Sequence, residues 1–258
     1  MLISEIPLKK QVKFGDFYHS PREIDLICAK SVRKLLSKQI GDDRFFGDCG
    51  STTLVKVKSD YFALFTGHQI GNPNYLEIKP EFSENYIIPS LSPQLRNLST
   101  SKLVYSTGKR GDEFEDIVGF KIFTEDKEFK KEKAYFCKVV KPNRTQMRQH
   151  FYVGYPRLDN LIRYDEMGVL QEIKQNGVVN DCKLDGEFAS PTPYFRKFFH
   201  ELNNRPADGL SGGAIFVLTD DGCNNYEVFL DSIIVRGNNE FLYGISAEYI
   251  HDFGAPNL

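Results

Sequence analysis

The chain lacks several things that would have narrowed its role. Its five cysteines (Cys28, Cys49, Cys137, Cys182 and Cys223) include no close pair and no C-x-x-C. An odd count in that arrangement reads as reduced thiols rather than a disulfide framework. Neither the cysteines nor the five histidines (His19, His68, His150, His200, His251) fall at zinc-ligand spacing, so no zinc site is expected, and the chemistry read below needs no metal or cofactor. No run of 18 apolar residues occurs, which excludes a helical membrane span. Met1-Leu2-Ile3-Ser4-Glu5-Ile6-Pro7 has neither the basic start nor the apolar core of a secretory signal, so a cytoplasmic protein is expected. The formal net charge of −2 supplies no basic excess for nucleic acid or an anionic membrane. Internal repeats and low-complexity tracts are also missing.

What remains is ordinary globular composition, 41% hydrophobic and 26% charged over 258 residues, enough for one large core or two in contact. Ser20-Pro21-Arg22-Glu23 is a helix start, with a capping serine, proline at the first position and glutamate three after the cap. Ile24, Ile27, Val32, Leu35 and Leu36 recur at near-helical spacing, predicting an amphipathic helix over about 21–39 that packs on the first group of strands. From Phe45 the pattern turns to strands. Ser51–Val57 and Tyr61–Phe65 flank Lys58-Ser59-Asp60 as a hairpin. Asn72-Pro73-Asn74 and Ser90–Ser101 read as loops, and Asp112–Asp116 leads into a strand over Ile117–Phe123. The charge-dense stretch Thr124–Lys133 reads as a solvated loop. Further strands are expected at Ala134–Val140, Phe151–Val153, Val169–Ile173, Phe216–Leu218, Val228–Val235 and Phe241–Ile245. Many short strands with turn signals argue for an all-β barrel or sandwich.

Three stretches carry chemistry. In Asp208-Gly209-Leu210-Ser211-Gly212-Gly213-Ala214-Ile215-Phe216 a serine sits among glycines ahead of an apolar run, an arrangement that can present a hydroxyl beside backbone N–H donors. Taken alone it is equally a glycine-rich turn before a buried strand. Tyr61–Phe65 runs into Thr66-Gly67-His68-Gln69, and Asp116 precedes another apolar run. Together these segments resemble the chymotrypsin/trypsin-like serine peptidases, which carry His, Asp and Ser in that order. The separations here, 48 residues from His68 to Asp116 and 95 from Asp116 to Ser211, are closely similar to theirs. The likeness covers roughly 45–250.

The resemblance implies two six-stranded antiparallel β-barrels, the first over about 45–124 and the second over about 134–250, with residues 1–44 as an N-terminal extension. It implies a serine endopeptidase with Ser211 as nucleophile, His68 as base, Asp116 as its orienter, and the N–H groups of Gly209 and Ser211 as the oxyanion hole. Counting six residues back from Ser211 puts Arg205 at the base of the specificity pocket, which would favour an acidic residue before the scissile bond. Val235, Arg236 and Gly237 match the strand that pairs with substrate backbone. Gln69 stands where secreted relatives often have cysteine, and Leu210 stands where the digestive enzymes have an activating aspartate. An enzyme active as made, or one regulated by a protein partner, fits that pattern. The expected partner is a protein or peptide substrate from a restricted set. The alternative is a catalytically silent relative used as a protein-binding module.

Overall fold

Alternating and apolar runs in the second half of the chain close into a barrel. The computed structural model describes residues 3–39, 42–70, 86–91, 96–106, 116–140, 147–157, 161–166, 170–174, 176–200, 207–223 and 225–253. In chain order the elements are β1 (Val12–Phe14), β2 (Phe17–His19), α1 (Ile24–Ser31), β3 (Val32–Gln39), β4 (Asp42–Val57), β5 (Asp60–Phe65), β6 (Tyr86–Ile87), β7 (Thr100–Ser106), β8 (Val118–Ile122), α2 (Lys127–Glu132) and β9 (Cys137–Lys138). Then come β10 (Met147–Gly154), β11 (Leu161–Tyr164), β12 (Leu170–Lys174), β13 (Val178–Leu184), β14 (Phe195–His200), β15 (Ala214–Asp220), β16 (Tyr226–Gly237), β17 (Phe241–Ser246) and α3 (Ala247–Phe253).

Strands β15-β10-β13-β14-β17-β16 pair in that order, and β15 also pairs β16, so six antiparallel strands form a closed ring. β1 joins β16 in parallel and β2 folds back on β1, so the N-terminal hairpin belongs to the barrel's sheet. The first half forms a sheet in the order β6-β3-β4-β5-β8-β7, with β9 parallel to β4, giving a half-barrel. Tyr152, Phe198, Ile215, Ile234 and Leu242 cluster in one half; Leu54, Phe65, Val118 and Phe120 cluster in the other. A third cluster spans the seam, where Val55, Phe62 and Leu64 meet Phe151, Phe216 and Val228, with Ile24, Ile27 and Cys28 of α1 packed among them. Each such fully buried side chain contributes roughly 1.5–3 kcal/mol against exposure.

Several expectations are corrected. The helix predicted over 21–39 is α1 alone, preceded by a 3-10 turn at Pro21–Glu23; Val32–Gln39 is a strand. Ser31 Oγ donates to the Cys28 carbonyl (2.6 Å) at the helix end, and Val32 is already extended. The helical spacing misled because Arg33 and Lys34 looked solvent-facing. Both are buried, Arg33 against Glu132 (3.1 Å) and Lys34 against Asp48 (2.5 Å), so β3 is covered on both faces. The first sheet therefore starts at Val32, not near residue 45. The charged stretch 124–133 is not all loop. Asp126 caps α2 by accepting from the Glu128 N–H (2.9 Å), and Glu128 and Glu132 are buried with Arg96, Lys131 and Arg33 as partners. The expected strand Ala134–Val140 shortens to β9. The Asn72-Pro73-Asn74 loop and the lead-in Asp112–Glu115 lie outside the described residues.

Candidate active site

The Ser211 turn is shaped by two glycines in the left-handed region, Gly209 (φ 90) and Gly212 (φ 80). A Cβ on Gly212 would lie 2.0 Å from the Ser51 carbonyl oxygen, and one on Gly209 would lie 2.6 Å from that of Tyr155. Only glycine fits either place. Three carbonyls of the turn are then sewn to β4: Gly209 O accepts from Ser51 Oγ (2.8 Å), Ser211 O from Ser51 N (3.0 Å) and Gly212 O from Thr53 Oγ1 (2.8 Å). Leu210 anchors the turn from below, buried in the barrel cluster. The N–H groups of Gly209 and Ser211 have no hydrogen-bond partner among the described residues.

The histidine turn leaves the end of β5. Phe65 pairs with Val118 in antiparallel register, so the chain beyond Phe65 runs back past the residues that precede β8. Asp116 meets it there. One carboxylate oxygen accepts from Gly67 N (2.9 Å), the other from His68 N (3.3 Å) and His68 Nδ1 (2.5 Å). An ionised carboxylate only accepts, so the ring proton sits on Nδ1 and Nε2 is left as an acceptor. Nε2 lies 3.2 Å from Ser211 Oγ. The structure thus brings His68, Asp116 and Ser211 into one hydrogen-bonded row, with Asp116 buried and the His68 side chain 52% exposed. The imidazole opens on a cleft of about 220 Å³ lined by Asp48, Gly50, Gln69, Arg157, Asp208 and Gly209, among others.

Val235, Arg236 and Gly237 end β16. β15 pairs with β16 only as far as Ile233, so these three run past the end of β15 on the side of the Ser211 turn. Val235 O lies 3.1 Å from Ser211 Oγ and can accept its proton. The Arg236 guanidinium lies over the Tyr243 ring (5.0 Å) and near that of Phe195 (5.5 Å). Arg205 falls outside the described residues.

Sequence reasoning missed Ser51 and Thr53 and read Gln69 only as a departure from cysteine, yet the contacts of all three build the site; nothing in the local pattern marks these roles. None of the cysteines is in a disulfide. Burial pushes the Cys49 thiol beside the cleft upward, and pushes the imidazoles of His19, His150 and His200 down. No helix of the described residues is long and apolar enough to cross a membrane.

No family model and no curated protein matches the chain. Solved structures do. The chain is similar to the protease Anisep from Arthrobacter nicotinovorans, with a TM-score of 0.50 and 14% identity over 95% of this chain and 99% of that one. It is similar also to the thermostable serine protease AL20 from an extremophilic microorganism, with a TM-score of 0.50 and 14% identity over 89% of this chain and 99% of that one. At that identity the likeness shows the fold: a closed six-stranded barrel beside a half-barrel sheet, the chymotrypsin-like architecture.

Proposed function

We propose that the chain is a serine endopeptidase acting on a restricted set of protein substrates. Ser211 Oγ attacks the carbonyl carbon of the scissile bond while His68 Nε2 takes its proton. The carbonyl oxygen becomes an oxyanion held by the Gly209 and Ser211 N–H groups. Asp116 keeps the proton on Nδ1 and stabilises the imidazolium. Collapse of the tetrahedral intermediate breaks the C–N bond, and His68 gives its proton to the leaving amine. Water then repeats the sequence on the acyl-enzyme and frees Ser211. Val235–Gly237 pairs with substrate backbone, and Arg205 selects an acidic residue before the scissile bond through charge-assisted hydrogen bonds. The enzyme works in the cytoplasm, where a narrow target range or a regulatory protein partner spares its neighbours.

The observation that carries the reading is the row Asp116–His68–Ser211, at 2.5 and 3.2 Å. A fluorophosphonate probe tests it: Ser211 Oγ displaces fluoride from phosphorus, and the wild type is labelled while Ser211→Ala is not. One observation favours a binding module instead, since the Ser211 hydroxyl can donate to Val235 O at 3.1 Å rather than to His68. A folded wild type that stays unlabelled would select that reading. A peptide library scanned before the scissile bond checks the acidic preference, which fails if cleavage follows Lys or Arg or if Arg205→Ala changes nothing.

A further inference from the structure

Gln69 follows the histidine and uses all of its hydrogen-bonding capacity. Its Oε1 accepts from Thr66 N (2.7 Å) and from Thr66 Oγ1 (2.8 Å). Its Nε2 donates to Cys49 O (2.9 Å) and Ser51 O (2.9 Å). The amide cannot be turned round, because the Thr66 N–H only donates and the two carbonyls only accept. Space is also closed around it: a Cβ on Gly50 would lie 2.7 Å from Nε2, and one on Gly212 would lie 2.7 Å from Oε1.

The consequence falls on His68. The buried Thr66 hydroxyl lies 3.4 Å from His68 Nε2, the atom that faces Ser211. A neutral Nε2 has one lone pair. If the Thr66 hydroxyl turned its proton there, it would compete with the Ser211 O–H for the only acceptor able to activate it. Because the proton is committed to Gln69 Oε1, Thr66 presents lone pairs to Nε2 instead. They carry no proton for Nε2 to accept, so the serine O–H meets no competing donor while the imidazole is neutral. They become a second acceptor once His68 holds the serine's proton.

We infer that Gln69 is a positioning residue for the base: it holds the Thr66 hydroxyl proton away from His68 Nε2, keeping that lone pair for Ser211. The catalytic consequence rests on the proposed peptidase reading; the hydrogen-bond arrangement does not. Two measurements on the full chain separate them. The first is kcat and KM on a small chromogenic peptide, with the rate of fluorophosphonate labelling. Gln69→Leu lowers kcat and the labelling rate on the order of tenfold or more, since small displacements of a catalytic group cost up to ~10²-fold, and leaves KM within about twofold. Adding Thr66→Val, which removes the competing hydroxyl, restores at least threefold of the loss. A merely structural role predicts the opposite sign, a further loss from the second substitution. Thr66→Ser, which keeps the hydroxyl, stays near wild type.

The second measurement is the nitrogen NMR resonance of His68 Nε2 in the Ser211→Ala background, which needs no activity. It moves in Gln69→Leu as Thr66 begins to donate, and returns when Thr66→Val is added. Gln69→Met withdraws the same acceptor while filling a similar volume, so its resonance moves as in Gln69→Leu; this variant decides the matter if Gln69→Leu does not fold. An unmoved resonance in a folded Gln69→Leu or Gln69→Met, or a double variant no faster than Gln69→Leu, would each overturn the inference. An inactive wild type that keeps this resonance pattern would overturn the peptidase reading and leave the inference standing.

Discussion

The turn carrying Ser211 and the turn carrying His68 approach each other over the same strand, β4, but they are held differently. The Ser211 turn is held through its own main chain. Gly212 admits β4 to within contact, and the carbonyl groups of Gly209, Ser211 and Gly212 receive hydrogen bonds from Ser51 and Thr53. The His68 turn is held through two side chains, the Asp116 carboxylate and the Gln69 amide. A main-chain arrangement tolerates most side-chain changes but not the loss of a glycine. A side-chain arrangement fails when one residue changes, and fails in function before it fails in folding. The half-barrel that supplies His68 and Asp116 is therefore the more easily silenced side of this site.

The largest effect expected is from Asp116→Asn. The amide can no longer hold the proton on Nδ1, and kcat should fall about 10⁴-fold with the fold retained, as read by peptide turnover beside near-UV circular dichroism. Retention of more than a tenth of wild-type turnover would break the comparison at its functional end.

On the other turn the damage should be to stability. Gly212→Ala places a methyl group 2.0 Å from the Ser51 oxygen at a positive φ. Left-handed strain alone costs about 1–3 kcal/mol and the overlap adds to it, so the urea unfolding midpoint should drop sharply. A variant of wild-type stability would mean that the main chain there is not under constraint.

Ser51→Ala should be milder. It leaves Gly209 O and Tyr155 N without the hydroxyl that serves both, at 2.8 and 2.9 Å. An unsatisfied buried polar group costs about 1–3 kcal/mol. The expected result is a lower melting temperature together with slower fluorophosphonate labelling, since Gly209 is then less firmly placed.

The smallest effect belongs to a pair remote from both turns. Lys138 and Lys56 hydrogen-bond Asp16 of the N-terminal hairpin and hold its carboxyl down at about 2, below its ordinary 3.8. A group whose pKa is lowered on folding stabilises above its unfolded value, and that contribution is lost as pH falls from about 4 towards 2. Asp16 is about one-third exposed, so solvent screening limits the contribution to less than about 1 kcal/mol. Asp16→Asn should therefore lower the unfolding midpoint slightly at pH 7 and not at pH 2. An equal loss at both pH values would assign the effect to packing instead.

Much of the candidate site was legible in the chain. Ser211, His68 and Asp116 could be singled out because each sits at a strand end whose apolar run marks it locally: β5 before His68, β8 after Asp116, β15 after Ser211. The hairpin at Lys58-Ser59 was equally plain, and Lys58 takes the positive φ such a turn needs (54). Strands β13 and β14 were missed. β13 alternates between half-buried and exposed without a strongly apolar face, and β14 mixes Arg196 and Lys197 with phenylalanines.

By itself the sequence determined the short-range features: where chain reversals fall, which faces alternate, and which stretches hold a serine, a histidine and an aspartate at strand ends. Tertiary structure alone decided the rest. It turned Arg33 and Lys34 inward, because Glu132 and Asp48 come to them from other elements. It made a helix cap of Asp126 and buried partners of Glu128 and Glu132 within a run that reads as solvent-facing. It placed the Gln69 amide between Thr66 and the carbonyls of Cys49 and Ser51. The reason is common to all three. Periodicity reports the few residues around a position, whereas the partner that satisfies a buried charge or amide comes from another element, and only folding brings it there.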